Sequence, residues 1–264
     1  MRRERKRVAL PPLAFGDARA VCTTDAVRAE EQTAKAHPSL NYLRPFSDSD
    51  PFFNKGASVT INGLTLVATS SVAVRLDVGE TQDFHLIVPF AGRTTIYANS
   101  KRYDWSGGEQ AVLFAQSNRR TGTSETRSLL MAHLDKKILR NTIATMMGAP
   151  EADRSLRTEG VQLLDLRFGG INFMELFHQL CRQIDLLSEN PAVLKSLRID
   201  DQFYRCAAML MNPAAFLDDT ATARATGGGD SIDLVCDAVR SAPFQALSLT
   251  EMEALSGMSA RALQ

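Results

Sequence analysis

Two periodicities divide this chain. From Ala57 to Leu134 apolar residues fall on every second position, the spacing of strands with one face buried. Val59 and Ile61 alternate before Asn62-Gly63, a hairpin signal, and Leu64 and Leu66 resume after it. Val72, Val74, Leu76 and Val78 predict one face of the next strand, with Arg75 and Asp77 opposite. Phe84–Phe90, Thr94–Ala98, Ala111–Ala115 and Arg127–Leu134 complete the set, separated by turns at Ala91-Gly92, Asn99-Ser100-Lys101 and Ser106-Gly107-Gly108-Glu109. Short strands at this spacing predict a β-barrel or sandwich.

Beyond Leu134 the spacing turns helical. Ile138, Leu139, Thr142, Ile143, Met146 and Met147 form one stripe, stopped by Gly148 and Pro150. Ile171, Met174, Phe177, Leu180, Cys181, Ile184 and Leu187 form a second, and Leu194, Leu197, Tyr204, Ala208 and Met211 a third. Before the strands, Thr24 can cap a helix over Asp25–Ala36, and a polar connection carrying Pro45 and Pro51 leads to Asn54. The opening MRRERKR is basic with no apolar partner and reads as a disordered tail. ATARATGGGD, Ala221 to Asp230, is small, polar and glycine-rich, which predicts a flexible linker.

The last stretch, SLTEMEALSGMSARALQ from Ser248 to Gln264, carries the clearest local grammar. Ser248 with Glu251 is a capping box, and Leu249, Met252 and Leu255 follow at helical spacing. Gly257 ends the run, and Ser259 caps a second helix from Ala260. Helix, glycine turn and second helix form the helix-turn-helix unit, whose second helix reads the major groove.

On these residues the chain resembles the AraC/XylS family of bacterial transcription regulators. LTEMEALSGMSARALQ is similar to the family's first helix-turn-helix, and IDLVCDAVRSAPFQALS to the helix and connection preceding it. The resemblance extends back to about Thr24, with Gly92 and Gly108 at the turn glycines of the family's cupin-like effector domain, and lies nearest the branch that senses aromatic carboxylates. It implies an α+β fold: a cupin-like β-barrel, a helical dimerisation and linker region, and a partial helix-turn-helix in a truncated chain. The expected boundaries are a basic tail at 1–23, a helix and effector-binding barrel at 24–137, dimerisation helices at 138–218, a linker at 219–231 and the partial DNA-binding domain at 232–264. The implied partners are promoter DNA, a small-molecule effector, a second copy of the chain and RNA polymerase, with activation the family's commoner mode. Glu253 departs from the alanine that many relatives carry, although some of the aromatic-carboxylate branch also place Glu there.

Composition changes this picture little. Hydrophobic content of 44% and charged content of 23% suit a globular protein with a full core, and the net charge is zero. The C-terminal segment leans acidic, with Asp233, Asp237, Glu251 and Glu253 against Arg240 and Arg261, which opposes strong phosphate binding. Cys22, Cys181, Cys206 and Cys236 are scattered, as reduced thiols of a cytoplasmic protein would be. No apolar run approaches membrane-spanning length.

Candidate chemistry points to binding. A catalytic cupin metal needs paired histidines on one strand, and DFHLIVPF offers His85 alone, so neither metal, cofactor nor catalytic residue is expected. The alternatives are a cupin-type metalloenzyme and a stand-alone protein binding a small molecule or signalling nucleotide. For a carboxylate effector, Arg127 and His133 share strand parity with Leu129 and Met131, and His85 shares a face with Ile87. Arg119-Arg120 reads as a solvated charge pair in a loop. In the recognition helix Ser259, Ala260, Arg261 and Gln264 are the expected DNA-facing residues.

Overall fold

The computed structural model describes residues 9–47, 51–147, 159–217, 230–243 and 245–263. The MRRERKR tail, Gln264 and the linker up to residue 229 therefore lie outside the described residues. The fold is α+β, with antiparallel sheets. Contacts divide the chain into two units: Met1–Val59 with Leu66–Ala132 and Glu159–Leu163, and Thr60–Thr65 with His133–Thr158 and Leu164–Gln264.

The strands are β1 (Val21–Thr23), β2 (Leu40–Pro45), β3 (Asn54–Ile61), β4 (Leu64–Ser71), β5 (Val74–Val78), β6 (Phe84–Ala91), β7 (Arg93–Ala98), β8 (Lys101–Ser106), β9 (Gln110–Ala115), β10 (Arg120–Ser124), β11 (Arg127–Leu134) and β12 (Gly160–Asp165). They build a seven-stranded sheet in the order β1-β3-β4-β11-β6-β9-β12 and a five-stranded sheet in the order β2-β5-β10-β7-β8. The sheets face each other across an apolar interior. Ile96 and Trp105 of one pack with Val112 and Phe114 of the other. Ile87 touches that group and also the group of Val67, Leu129 and Met131.

Turn chemistry agrees with the sequence. Asn62-Gly63 closes β3 to β4 at φ 46 and 89, and Asn99-Ser100 closes β7 to β8 at φ 51 and 60. Both are two-residue turns with positive φ at each position, the hand that matches strand twist. Gly92 combines φ +84 with a close approach, since a Cβ there would meet the Thr126 carbonyl oxygen at 2.4 Å.

Order begins earlier than the expected tail allows. Leu13 and Phe15 are buried, and Ser70 and Ser128 donate to the carbonyls of Pro11 and Pro12. Helix α1 (Ala26–Ala36) is capped by Asp25 rather than Thr24, its carboxylate accepting from Val27 N–H at 2.9 Å. The connection after α1 contains β2, paired to β5. Asp77, expected on the solvent face, is buried beneath Arg119 and Asn41.

The second unit centres on α5 (Ile199–Met211), which contacts α2 (Lys136–Met147), α3 (Phe173–Leu186), α4 (Pro191–Ser196) and α6 (Pro213–Leu217). The third predicted stripe is thus two helices, broken where Arg198 takes φ 51. No glycine marks that break. Arg198 is held there by its own bonds to the Ala246 carbonyl, Glu251 and Asp200. The α3 stripe turns inward: Phe173, Phe177, Leu180, Cys181 and Ile184 are buried, and Phe177 meets Phe203 at 5.2 Å. The surface expected to carry a dimer is therefore mostly spent inside this unit. A small hairpin, β13 (Arg167–Phe168) and β14 (Ile171–Asn172), precedes α3. The last helices are α7 (Asp230–Ser241), α8 (Leu249–Ser256) and α9 (Ala260–Leu263).

Candidate functional site

Strand alternation decides which polar side chains enter the barrel. β10 pairs with β7 so that Gly122 sits opposite Ile96, and Ser124 opposite Thr94. Ile96 faces the interior, so Arg120, Gly122 and Ser124 do too. Arg120 is thus buried, not solvated as the sequence suggested. Its Nη1 donates to Ser117 Oγ at 2.8 Å, Nη2 lies 3.2 Å from His37 Nε2, and its guanidinium stacks 4.1 Å over Phe114. Guanidinium only donates, so His37 Nε2 is the acceptor. Burial pushes the Arg120 pKa down to about 10. Among the described residues no carboxylate pairs with it.

His85 is fully buried beside this group. It stands opposite Phe114 in the β6–β9 ladder, and its ring lies 4.6 Å from that of His37. A histidine neighbour exists after all, supplied by the end of α1 rather than by the strand. Among the described residues, no three or more His, Cys, Asp or Glu gather as metal ligands.

Arg127 lies at the other end of β6 from His85. A Cβ on Gly92, just past β6, would be 3.0 Å from the Arg127 Cα, whereas His85 is near the strand's start. At a rise of about 3.3 Å per residue the two are roughly 20 Å apart along the sheet. Arg127 is half-buried, its Nε is sealed from water without a partner, and burial pushes its pKa down to about 10. His133 is half-buried near the end of β11 and belongs to the second unit. The residues chosen from sequence therefore do not form one cluster. His37, Arg120, Trp105 and Ser124 were missed. For Arg120 and Ser124 the signal was there, as RTGTS alternates with period two but carries no apolar residue to flag it.

The C-terminal pattern is built as read. Ser248 Oγ accepts from Glu251 N–H at 3.1 Å while Glu251 Oε2 accepts from Ser248 N–H at 2.7 Å, and Gly257 ends α8 at φ 65. Burial opposes ionisation of Glu251, but the Ser248 N–H and Arg198 outweigh it and hold the carboxyl below its ordinary range. Glu253 is buried, accepting from Arg205 Nη1 at 2.5 Å and from the Ala260 N–H at 2.6 Å. Two of the acidic charges that seemed to oppose DNA are thus neutralised by arginines beside or within α5. Ser259 is exposed, and its carbonyl accepts from Leu263 N–H at 3.2 Å, so it occupies the cap position of α9. Ala260 opens α9, and Arg261 lies within it.

No protein-family model matches the chain, and no curated protein matches it. Among solved structures, the AraC-like transcriptional activator CuxR is similar over 92% of this chain and 86% of its own, with a TM-score of 0.51 and 14% identity. An HTH_3 family transcriptional regulator from Vibrio cholerae is matched by 31% of this chain and 51% of its own, with 10% identity and a TM-score of 0.28. The Cnp3 cupin domain of Schizosaccharomyces pombe is matched by 32% of this chain and 68% of its own, with 11% identity and a TM-score of 0.28. At this identity the likeness to CuxR is one of fold.

Proposed function

We propose that this chain belongs to a ligand-responsive, DNA-binding transcription regulator of the AraC/XylS type, acting as an activator in the cytoplasm and as a homodimer. The observation that carries the reading is the α8–turn–α9 unit, with its reciprocal cap and left-handed Gly257, on the same chain as a barrel holding one buried and one half-buried arginine. The fold shared with an AraC-like activator over 92% of the chain supports it. A regulator needs a reader that fits a groove and a sensor whose apolar interior orients a ligand through a few polar groups.

Function would follow from linkage. The effector binds one arrangement of sensor and reader better than another and shifts the population toward the form that engages the promoter. Ser259, Ala260, Arg261 and Gln264 would face DNA, and His85, Arg127 and His133 remain the effector candidates, now joined by Arg120. Aromatic carboxylates are the effector class that the family resemblance suggests. Selection from random-sequence DNA with the complete gene product tests the reading. It should enrich a defined site, and an Arg261→Gln variant should lose the enrichment. Recovery of unenriched sequence by folded protein would refute the reading.

A further inference from the structure

One guanidinium stands between two carboxylates at the start of α5. Arg198 Nη1 donates to Glu251 Oε2 at 2.7 Å and to the Ala246 carbonyl at 3.0 Å, while Nη2 reaches Asp200 Oδ2 only at 3.5 Å. Asp200 is buried and Glu251 is exposed. A buried carboxylate must find donors, and Asp200 takes its closest one from the β3–β4 turn, where Asn62 Nδ2 donates to Oδ1 at 2.8 Å.

The backbone at this point is poised to change. Arg198 holds φ 51 between α4 and α5 without being glycine, a conformation that persists only while its surroundings impose it. The turn residues Thr60–Thr65 belong to the second unit together with α5 and α8. The strands that carry the turn, β3 and β4, continue from Val59 and Leu66 of the first unit. A displacement of the hairpin therefore arrives at Asp200 through the Asn62 side chain.

We infer that Asn62, Asp200 and Arg198 form a charge-competition switch through which the β3–β4 hairpin sets how firmly α8 is held. With Asn62 on Asp200, the guanidinium is left to Glu251 and fastens α8. When the turn draws Asn62 away, the buried carboxylate loses a donor and takes Arg198, which releases Glu251. The exposed carboxylate yields because water can replace its partner, whereas the buried one has no such substitute. Glu251 keeps its place in the capping box, and Arg205 keeps Glu253, so α8 loosens without unfolding or leaving α5. The inference rests on the reading of α8–α9 as the DNA reader and supplies its regulation, with Asn62, Asp200 and Arg198 as positioning residues.

Hydrogen exchange of the purified chain, without DNA, tests the switch. Amides 252–256 of α8 are read relative to amides 177–184 of α3, so that unfolding of the whole unit cancels. Asn62→Gly keeps the left-handed turn and should accelerate α8 by roughly threefold or more over that reference. Asp200→Asn removes the competing charge, so it should not accelerate α8, even though it weakens the first turn of α5 and lowers the melting temperature. In the Asp200→Asn background, Asn62→Gly should lose its effect on α8. Arg198→Gly, which accepts φ 51, should accelerate α8 by itself and make Asn62→Gly silent there. A purely structural network gives a different pattern: Asp200→Asn accelerates α8 at least as much as Asn62→Gly, and the two effects add. That result overturns the inference, as does an Asn62→Gly protein whose α8 exchange is unchanged. DNA selection by the complete protein is a separate readout. Its success beside a failed exchange pattern would leave the reader standing without this switch, and the reverse would keep the switch while removing the reader.

Discussion

Arg205 and Glu253 form a buried ion pair that ties α5 to α8, with Nη1–Oε2 at 2.5 Å and Nη2–Oε1 at 3.4 Å. The same carboxylate accepts the Ala260 N–H at 2.6 Å, so a single side chain fastens α8 to α5 and closes the turn onto α9. Arg205 also donates to Thr250 Oγ1 at 3.1 Å. Glu253 is therefore a structural bracket, which explains how the segment holds an acidic residue in a buried position.

Removing either partner of this bracket should loosen α8 and α9 from α5. Glu253→Ala leaves Arg205 and the Ala260 N–H without their acceptor, and should cost about 3 kcal/mol in the stability of the α8–α9 segment. Glu253→Gln should cost less. Hydrogen exchange at the 249–263 amides checks this, and a cycle with Arg205→Ala should give a coupling of about 1.5–3 kcal/mol. Exchange unchanged in both variants would contradict the role given to the pair.

The β3–β4 turn makes a second tie within the same unit. Asn62 Nδ2 donates to Asp200 Oδ1 at 2.8 Å and to the Lys195 carbonyl at 3.1 Å, at the start of α5. Asn62→Gly keeps the left-handed turn and loses only the bonds, so it should destabilise by about 1 kcal/mol. Asn62→Ala should cost more, because its backbone also resists φ 46. Chemical unfolding of the two variants separates turn strain from the lost bonds, and equal losses would show that backbone strain adds nothing.

Much of this was legible in the chain. The hairpins, the α2 and α3 stripes and the Ser248–Gly257 grammar rest on local chemistry, and local chemistry is written in neighbouring residues. The barrel's polar interior was read less well. Arg120 looked solvated because RTGTS has alternation without apolar residues, and His37 reaches His85 only through the fold. Arg127 and His85 were both legible as inward candidates from strand parity, but parity does not say at which end of the barrel each lies. The α3 stripe looked available for a dimer because its partner, Phe203, lies in another helix.

Gly122 should be intolerant of any side chain. It lies in mid-strand between Arg120 and Ser124, where a Cβ would come within 2.3 Å of the Thr95 carbonyl oxygen and 2.8 Å of Ile96 Cγ2. Gly122→Ala must push β10 from β7, and should cost about 2–4 kcal/mol. A lowered melting temperature checks it. An unchanged one would show that the strands part cheaply.

Acid should weaken the barrel through Asp77. The Arg119 guanidinium on it, with Asn41 adding a second bond, outweighs burial and holds the carboxyl below the usual range. A depressed folded pKa contributes stability that is complete above the unfolded value of about 4 and disappears as pH falls through the folded one. Stability should therefore drop below about pH 4, and Asp77→Asn should flatten that limb of the pH profile. A variant with the same acid slope as the parent would assign the slope to other carboxylates.

The account stands most directly on whether the complete gene product reads DNA sequence. Binding to the selected site and to a scrambled duplex should be measured by fluorescence anisotropy at one fixed salt concentration. The account predicts a specificity ratio on the order of 10³ or more, falling at least tenfold in the Arg261→Gln protein. A ratio near one in folded protein, with Arg261→Gln indistinguishable from the parent, would contradict it.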